Sequence, residues 1–196
     1  MVDVAITTIN AVGRKHTKQD LLEGALATAL DDGLSQLTFG RVAKRLGVPD
    51  RTIVYYFPTK SDLVGEVILV MGAGLQAALA DAFTEPAADH LEVIRRAWPV
   101  LAGPEHERVF ALFFEANGLA TIGREPYATL VPQLVEAWIE WAASLIGGTP
   151  PKRRAAAEAA IAVLDGLYLL DLQVAPFASD AAPSRPVIYA LTESAP

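Results

Sequence analysis

The sequence predicts an all-α protein: a small N-terminal unit of three helices built around a helix-turn-helix, then a larger helical body. Three observations carry this. Ala, Leu and Glu dominate, and apolar residues recur at spacings of three and four. No run alternates with period two between Asn-Gly-type turns, so no strand is predicted. Gly and Pro fall largely at the breaks between periodic segments.

Each element follows from local chemistry. Residues 1–16 have no periodicity and end in Arg14-Lys15-His16, which predicts a basic arm. It is either a solvated tail or a phosphate contact. Thr17 with Asp20 makes a capping-box variant for a first helix, whose apolar face is Leu21, Leu22, Ala25, Leu26, Ala29 and Leu30. Gly33 stops it. Thr38 caps a short second helix with Val42, Ala43 and Leu46 inward, ended by Gly47. Val48-Pro49 forms the turn. A third helix carries Ile53, Val54 and Phe57 and breaks at Pro58. Thr59 or Ser61 caps a long fourth helix through Leu63, Val67, Leu75 and Leu79 to about Phe83. Further helices are expected near 88–102, 105–121, 127–146, 151–174 and 186–194, the last after a linker at 175–185. Pro99 and Pro132 predict kinks or shifted starts.

Composition narrows the class. With 196 residues and 52% hydrophobic content, the chain can bury a substantial core. Zero Cys excludes disulfides, thiolate zinc sites and thiol catalysis. The first ten residues lack the basic start and apolar core of a signal peptide. Runs such as Val67–Leu75 fall well short of the roughly 20 apolar residues that span a bilayer. The expectation is a cytoplasmic protein with no membrane partner, no cofactor and no metal. The net charge of −7 argues against nucleic acid only if charge is uniform, and it is not. Residues 1–60 hold 8 basic and 6 acidic groups, a net +2; residues 61–196 carry −9. Such a body would disfavour nonspecific DNA contact away from the N-terminal end.

Residues 38–57 read as two short helices joined at Gly47-Val48-Pro49. The outward remainder of the second is Asp50, Arg51, Thr52, Tyr55 and Tyr56. These donors, one cation and two aromatics suit phosphates and groove edges. The bland reading is a packing module that binds nothing. Thr38-Phe39-Gly40-Arg41-Val42-Ala43-Lys44-Arg45-Leu46-Gly47-Val48, then Thr52-Ile53, then Tyr56-Phe57-Pro58-Thr59-Lys60-Ser61-Asp62-Leu63, resemble the tetracycline-repressor (TetR) family in order and spacing. The resemblance runs from about Thr17 to Leu63. It implies a DNA-binding domain at 17–62 after the arm at 1–16, and a ligand-binding and dimerisation domain at 63–196. It further implies double-stranded operator DNA, a homodimer and release by a small-molecule effector.

By position, the resemblance gives phosphate contacts to Thr38, Thr52, Tyr56 and Lys60, and groove-facing positions to Asp50, Arg51 and Tyr55. Arg51 to guanine is the expected base contact. Two departures stand out. Val54 occupies a position where the family usually has Tyr, and Pro49 replaces the usual Ser cap. Asp50 then either caps the recognition helix or reads a base.

In the larger domain, Phe110, Phe113, Phe114 and Asn117 share a helical face, as do Leu130, Leu134, Trp138, Trp141 and Leu145. Trp98, Tyr127 and Tyr168 add aromatics. Such stripes are either core or pocket. The polar candidates for a pocket are Asn117, Glu115, Asp165 and Asp171. Asp165 sits beside Gly166 in an otherwise apolar helix, and as a buried carboxylate it would favour a cationic or hydroxyl-bearing ligand. The ligand set is therefore Trp98, Phe110, Phe113, Phe114, Asn117, Trp138, Asp165 and Tyr168. Ala155, Ala156, Ala159, Val163, Leu167 and Leu170, with Ile188 and Leu191 on the last helix, form a small-residue stripe for a dimer interface, or for intrachain packing.

Other signals are set aside. Gly72-Ala73-Gly74-Leu75-Gln76-Ala77 matches a dinucleotide fingerprint but lies inside a helix with no preceding strand. His106-Glu107 begins a zincin motif with Phe110 where the second His belongs. The leading expectation is a transcriptional repressor, not an enzyme, released from its operator by an apolar or amphipathic ligand. The alternative is a ligand carrier or adaptor that keeps the fold without operator binding. A helical enzyme pairing Glu115 with Asp165 has no support from spacing.

Overall fold

The computed structural model describes residues 16–174. The arm at 1–15, the linker at 175–185 and the helix expected at 186–194, with Val187, Ile188 and Leu191, lie outside the described residues. Eight α-helices follow in order: α1 (Lys18–Asp32), α2 (Phe39–Leu46), α3 (Asp50–Tyr56), α4 (Lys60–Leu79), α5 (His90–Leu101), α6 (Glu107–Thr121), α7 (Tyr127–Ser144) and α8 (Pro150–Val174). Short 3-10 turns at Ala80–Phe83 and Pro104–His106 extend α4 and lead into α6. No strand occurs among the described residues. An isolated bridge between Ala87 and Ile146 ties the loop before α5 to the end of α7.

The caps explain the boundaries. Thr17 and Asp20 form a full capping box on α1, and Thr59 with Asp62 does the same for α4, so Thr59 and not Ser61 is the cap. Gly47 ends α2 at φ 66°, a left-handed conformation that costs glycine nothing. Pro99 and Pro132 lie inside α5 and α7, and neither shifts a helix start.

Two apolar cores divide the molecule along α4. The first joins α1–α3 (Leu21, Leu37, Val42, Ile53, Phe57) to the first half of α4 (Leu63, Val67, Met71). It reaches into α6 and α7 through Leu112, Ala116, Tyr127 and Val131. The second gathers Leu79 with α5, α6, α7 and α8, including Trp98, Phe110, Ala142, Ala160 and Tyr168. By length and composition alone, Lys60–Phe83 is apolar enough to cross a membrane. That differs from the expectation drawn from its shorter uninterrupted runs. Here it serves as the central helix, with Leu63, Val64, Val67, Ile68, Met71 and Leu79 buried.

Gly72, part of the discarded dinucleotide pattern, has a packing reason. A Cβ there would sit 3.4 Å from the Trp138 Nε1 on α7. Along α8, Ala155 and Leu170 are exposed and Ala156, Ala159 and Val163 partly so. Leu167 departs from the expected interface stripe. It is buried in the second core, because its turn of α8 faces inward.

Candidate nucleic-acid interface and ligand cavity

The outer face of α3 is built by elimination. Ile53 and Phe57 are fully buried against α1 and α4, which turns the intervening positions outward. Asp50, Arg51, Val54 and Tyr55 are exposed, and Thr52 and Tyr56 are half-buried. Tyr55 is 79% exposed and meets Tyr56 edge-on at 5.0 Å. Thr38, at the start of α2, is exposed, and its hydroxyl accepts from the Arg41 N–H at 3.3 Å. Lys60 is the first residue of α4, also exposed. The seven expected contact residues thus lie at α3 and at the starts of α2 and α4.

The capping alternative for Asp50 is corrected. Pro49 is the cap residue of α3 and offers no side-chain hydrogen bond, while Asp50 is already the first helical residue. Its carboxylate lies against Gly40 of α2, 3.4 Å from where a Cβ would stand. With its own backbone already helical, Asp50 does not occupy the cap position, and its carboxylate accepts from no N–H of α3.

Ion pairs redistribute the N-terminal charge. Arg41 binds Asp32 at 3.0 Å, Arg45 binds Asp31 at 2.6 Å, and Lys18 binds Glu66 at 2.5 Å. The Arg45 hydrogen bond above all, together with Arg108, holds the Asp31 carboxyl below the usual range. Among the described residues, Lys44, Arg51 and Lys60 make no ion pair. Lys44, exposed on α2, is the cation that sequence reasoning passed over.

A second feature lies between α4, α5, α6, α7 and α8: a partly open apolar cavity of about 100 Å³. Its walls include Leu75 and Leu79 from α4, Phe110 and Phe113 from α6, and Trp138 and Trp141 from α7. Ala160, Leu164 and Asp165 close it from α8. Of the expected ligand set, Phe110, Phe113, Trp138 and Asp165 line it. Trp98, Phe114, Asn117 and Tyr168 do not, and each has another place. Tyr168 stacks on Phe110 at 3.8 Å, and Trp98 meets Tyr168 edge-on at 6.1 Å behind that wall. Phe114 packs on Phe113 at 5.5 Å, and the Asn117 amide donates to the Phe113 carbonyl at 2.8 Å. Helical spacing gives the face of a residue but not its height along the bundle. Asn117 lies two turns beyond Phe110, about 10 Å along the axis. Trp141 and Leu75 were legible in apolar stripes but not as walls, and Leu164 was not singled out by the sequence.

Glu115 is also absent from the cavity. Its carboxylate accepts from the Leu34 and Ser35 N–H groups, both at 2.8 Å, in the turn between α1 and α2. Tyr127 donates to the Leu34 carbonyl at 2.8 Å. Burial, reinforced by the Glu115 charge, pushes the Tyr127 phenol up to about 12. Gly33, at φ 90°, brings this turn close enough that a Cβ would sit 3.0 Å from Glu115. A smaller void beside Leu34 shares the Leu75, Phe113 and Trp138 walls with the main cavity.

Residues 21–67 match the model of the bacterial regulatory proteins of the tetR family. Over this stretch, which runs from within α1 into α4, the chain is similar to the tetR family. The matched stretch contains the whole helix-turn-helix, α2 and α3. Among solved structures, a transcriptional regulator from Rhodococcus sp. Rha1 is 19% identical over 91% of this chain and 93% of its own, with a TM-score of 0.66. EbrR, a multidrug binding protein solved with imidazole, is 27% identical over 88% of both chains, with a TM-score of 0.63. A regulator from Pseudomonas aeruginosa PAO1 is 16% identical over 92% of this chain and 91% of its own, with a TM-score of 0.65. No curated protein matches this chain in sequence.

Proposed function

We propose that this protein is a homodimeric repressor of the tetR family, released from operator DNA by a small apolar or amphipathic molecule bound in the α4–α8 cavity. One observation carries this reading: α4 begins with Lys60 at the DNA-facing end and lines the cavity with Leu75 and Leu79. Fifteen residues of helix, about 22 Å, separate the two. The cavity of about 100 Å³ is smaller than the ~150 Å³ void that accepts a benzene ring. A larger effector must therefore displace Phe113, Trp138 or α4 itself. Movement of α4 changes the separation of the two recognition helices, so that both no longer fit half-sites ~34 Å or a multiple apart. The exposed apolar side of α8 around Ala155 and Leu170 supports the dimer. EbrR, bound to imidazole and in another structure to proflavin, supports small organic molecules as effectors.

Operator binding followed over a range of salt tests the DNA half. Lys44, Arg51 and Lys60, the three cations without an ion pair among the described residues of the helix-turn-helix end, neutralising phosphates in a dimer, predict a slope of log affinity on log salt of roughly −5. A slope near zero leaves only the carrier reading, which the neutralised Arg41 and Arg45 favour. Arg51→Ala should relax specificity at one base pair of each half-site and cost about 1–3 kcal/mol there. Lys60→Ala should weaken operator and random DNA alike and flatten the salt slope by about 1 per protomer. Equal losses on both DNAs for both variants would refute this division of roles. Effector-driven release is tested by adding a cavity ligand to the preformed operator complex.

A further inference from the structure

We infer that the cavity selects an organic monocation with an aromatic body, and that the Asp165 carboxylate is its counter-ion. The inference rests on the reading that this cavity holds the effector and adds the ligand's charge.

Four acids are half-buried among the described residues: Glu66, Glu92, Glu115 and Asp165. Three of them are satisfied. Glu66 binds Lys18, Glu92 binds Arg96 and the Ala88 N–H, and Glu115 binds two backbone N–H groups. Asp165 has neither an ion pair nor a hydrogen bond to any described residue, and it opens onto the cavity. The walls supplied by α4, the 80–83 turn, α5, α6 and α7 carry no titratable group. The other α8 residues lining the cavity are Ala160, Ile161 and Leu164. Burial alone raises the Asp165 carboxyl, to about 6, so it is ionised at pH 7.5.

An unpaired anion in apolar surroundings is costly, and a cation entering the cavity removes that cost. A hydroxyl-bearing ligand leaves the charge uncompensated, a dication brings an unpaired charge of its own, and an anion is repelled. Trp138, Trp141, Phe110 and Phe113 supply ring faces for stacking and for cation–π contact.

The test uses two ligands of the same shape, 1-naphthylmethylammonium and 1-naphthalenemethanol, titrated calorimetrically into the full-length protein. At pH 7.5 the ammonium should bind at least about tenfold tighter than the alcohol. At pH 5 its affinity should fall about tenfold, because binding must then remove the Asp165 proton, while the alcohol's stays level. In Asp165→Asn at pH 7.5 the two affinities should converge. Ala160→Phe, which fills the cavity, should weaken both.

Equal affinities in the wild type, with both ligands lost in Ala160→Phe, would overturn the charge inference and leave the cavity reading standing. An ammonium preference that survives in Asp165→Asn would also overturn the inference, since an acid elsewhere would then be its source. If neither ligand binds, or Ala160→Phe alters neither, the cavity reading falls as well.

Discussion

Replacing Glu115 by alanine should lower the melting temperature by roughly 5–15 °C. The carboxylate accepts two backbone N–H groups, Leu34 and Ser35, at 2.8 Å each, and Leu34 itself is fully buried. Charge-assisted hydrogen bonds contribute about 1.5–3 kcal/mol, and an orphaned buried donor costs a comparable amount. A net loss of about 2–4 kcal/mol in a chain of this size corresponds to that range of temperature. Tyr127→Phe, which leaves the Leu34 carbonyl without its 2.8 Å donor, should cost about 1–2 kcal/mol. The two effects should not add, because both groups hold one turn. The turn joins α1 to α2, so operator affinity should fall with stability in both variants. Glu115 and Tyr127 sit on helices that also carry cavity walls, Phe113 on α6 and Trp138 on α7. A thermal melt of Glu115→Ala within about 1 °C of wild type would show that the turn is held by its own packing.

Asp165→Asn should stabilise the ligand-free protein at pH 8 and have no effect at pH 3. Burial raises the folded-state carboxyl from 3.8 to about 6. Below the unfolded value the group is protonated in both states and contributes no pH-dependent difference. As pH rises from about 4 through 6, the unfolded chain ionises freely while the folded chain resists. Wild-type stability is therefore lost across that window. A shift of about two units corresponds to at most about 3 kcal/mol, of which asparagine recovers the part not spent on its own burial. The expected gain is several degrees in melting temperature at pH 8, shrinking to nothing below pH 4. A variant that melts lower than wild type at pH 8 would mean that Asp165 has a partner that stabilises its charge. A group that costs the empty protein stability while lining its cavity is the pattern expected of a functional residue.

The helix-turn-helix was legible because its determinants are local. Thr17, Thr38 and Thr59 cap helices through N–H groups three residues on. Gly47 ends one by its own φ, and the inward positions of α1–α3 follow helical spacing. The exposed face of α3 then falls out by subtraction. The cavity was half legible. Periodicity picks out Phe110, Phe113 and Trp138 as inward, and the odd acid in an apolar helix picks out Asp165. It cannot separate Trp98, Phe114, Asn117 and Tyr168, which sit behind or beyond the walls.

By itself, then, the sequence determined the all-α class, the order of the helices, the caps at Thr17 and Thr38 and the exposed face of α3. All of these depend on residues within a turn or two of one another. Tertiary structure alone decided that Arg41 and Arg45 spend their charge on Asp32 and Asp31, 9 and 14 residues away. It alone carried Glu115 across 81 residues to Leu34, and left Asp165 as the half-buried acid without a partner among the described residues. The physical reason is range. Helix formation and capping are settled by backbone bonds between near neighbours. Whether a charge is paired, capped or left facing a cavity depends on which distant surface packs against it.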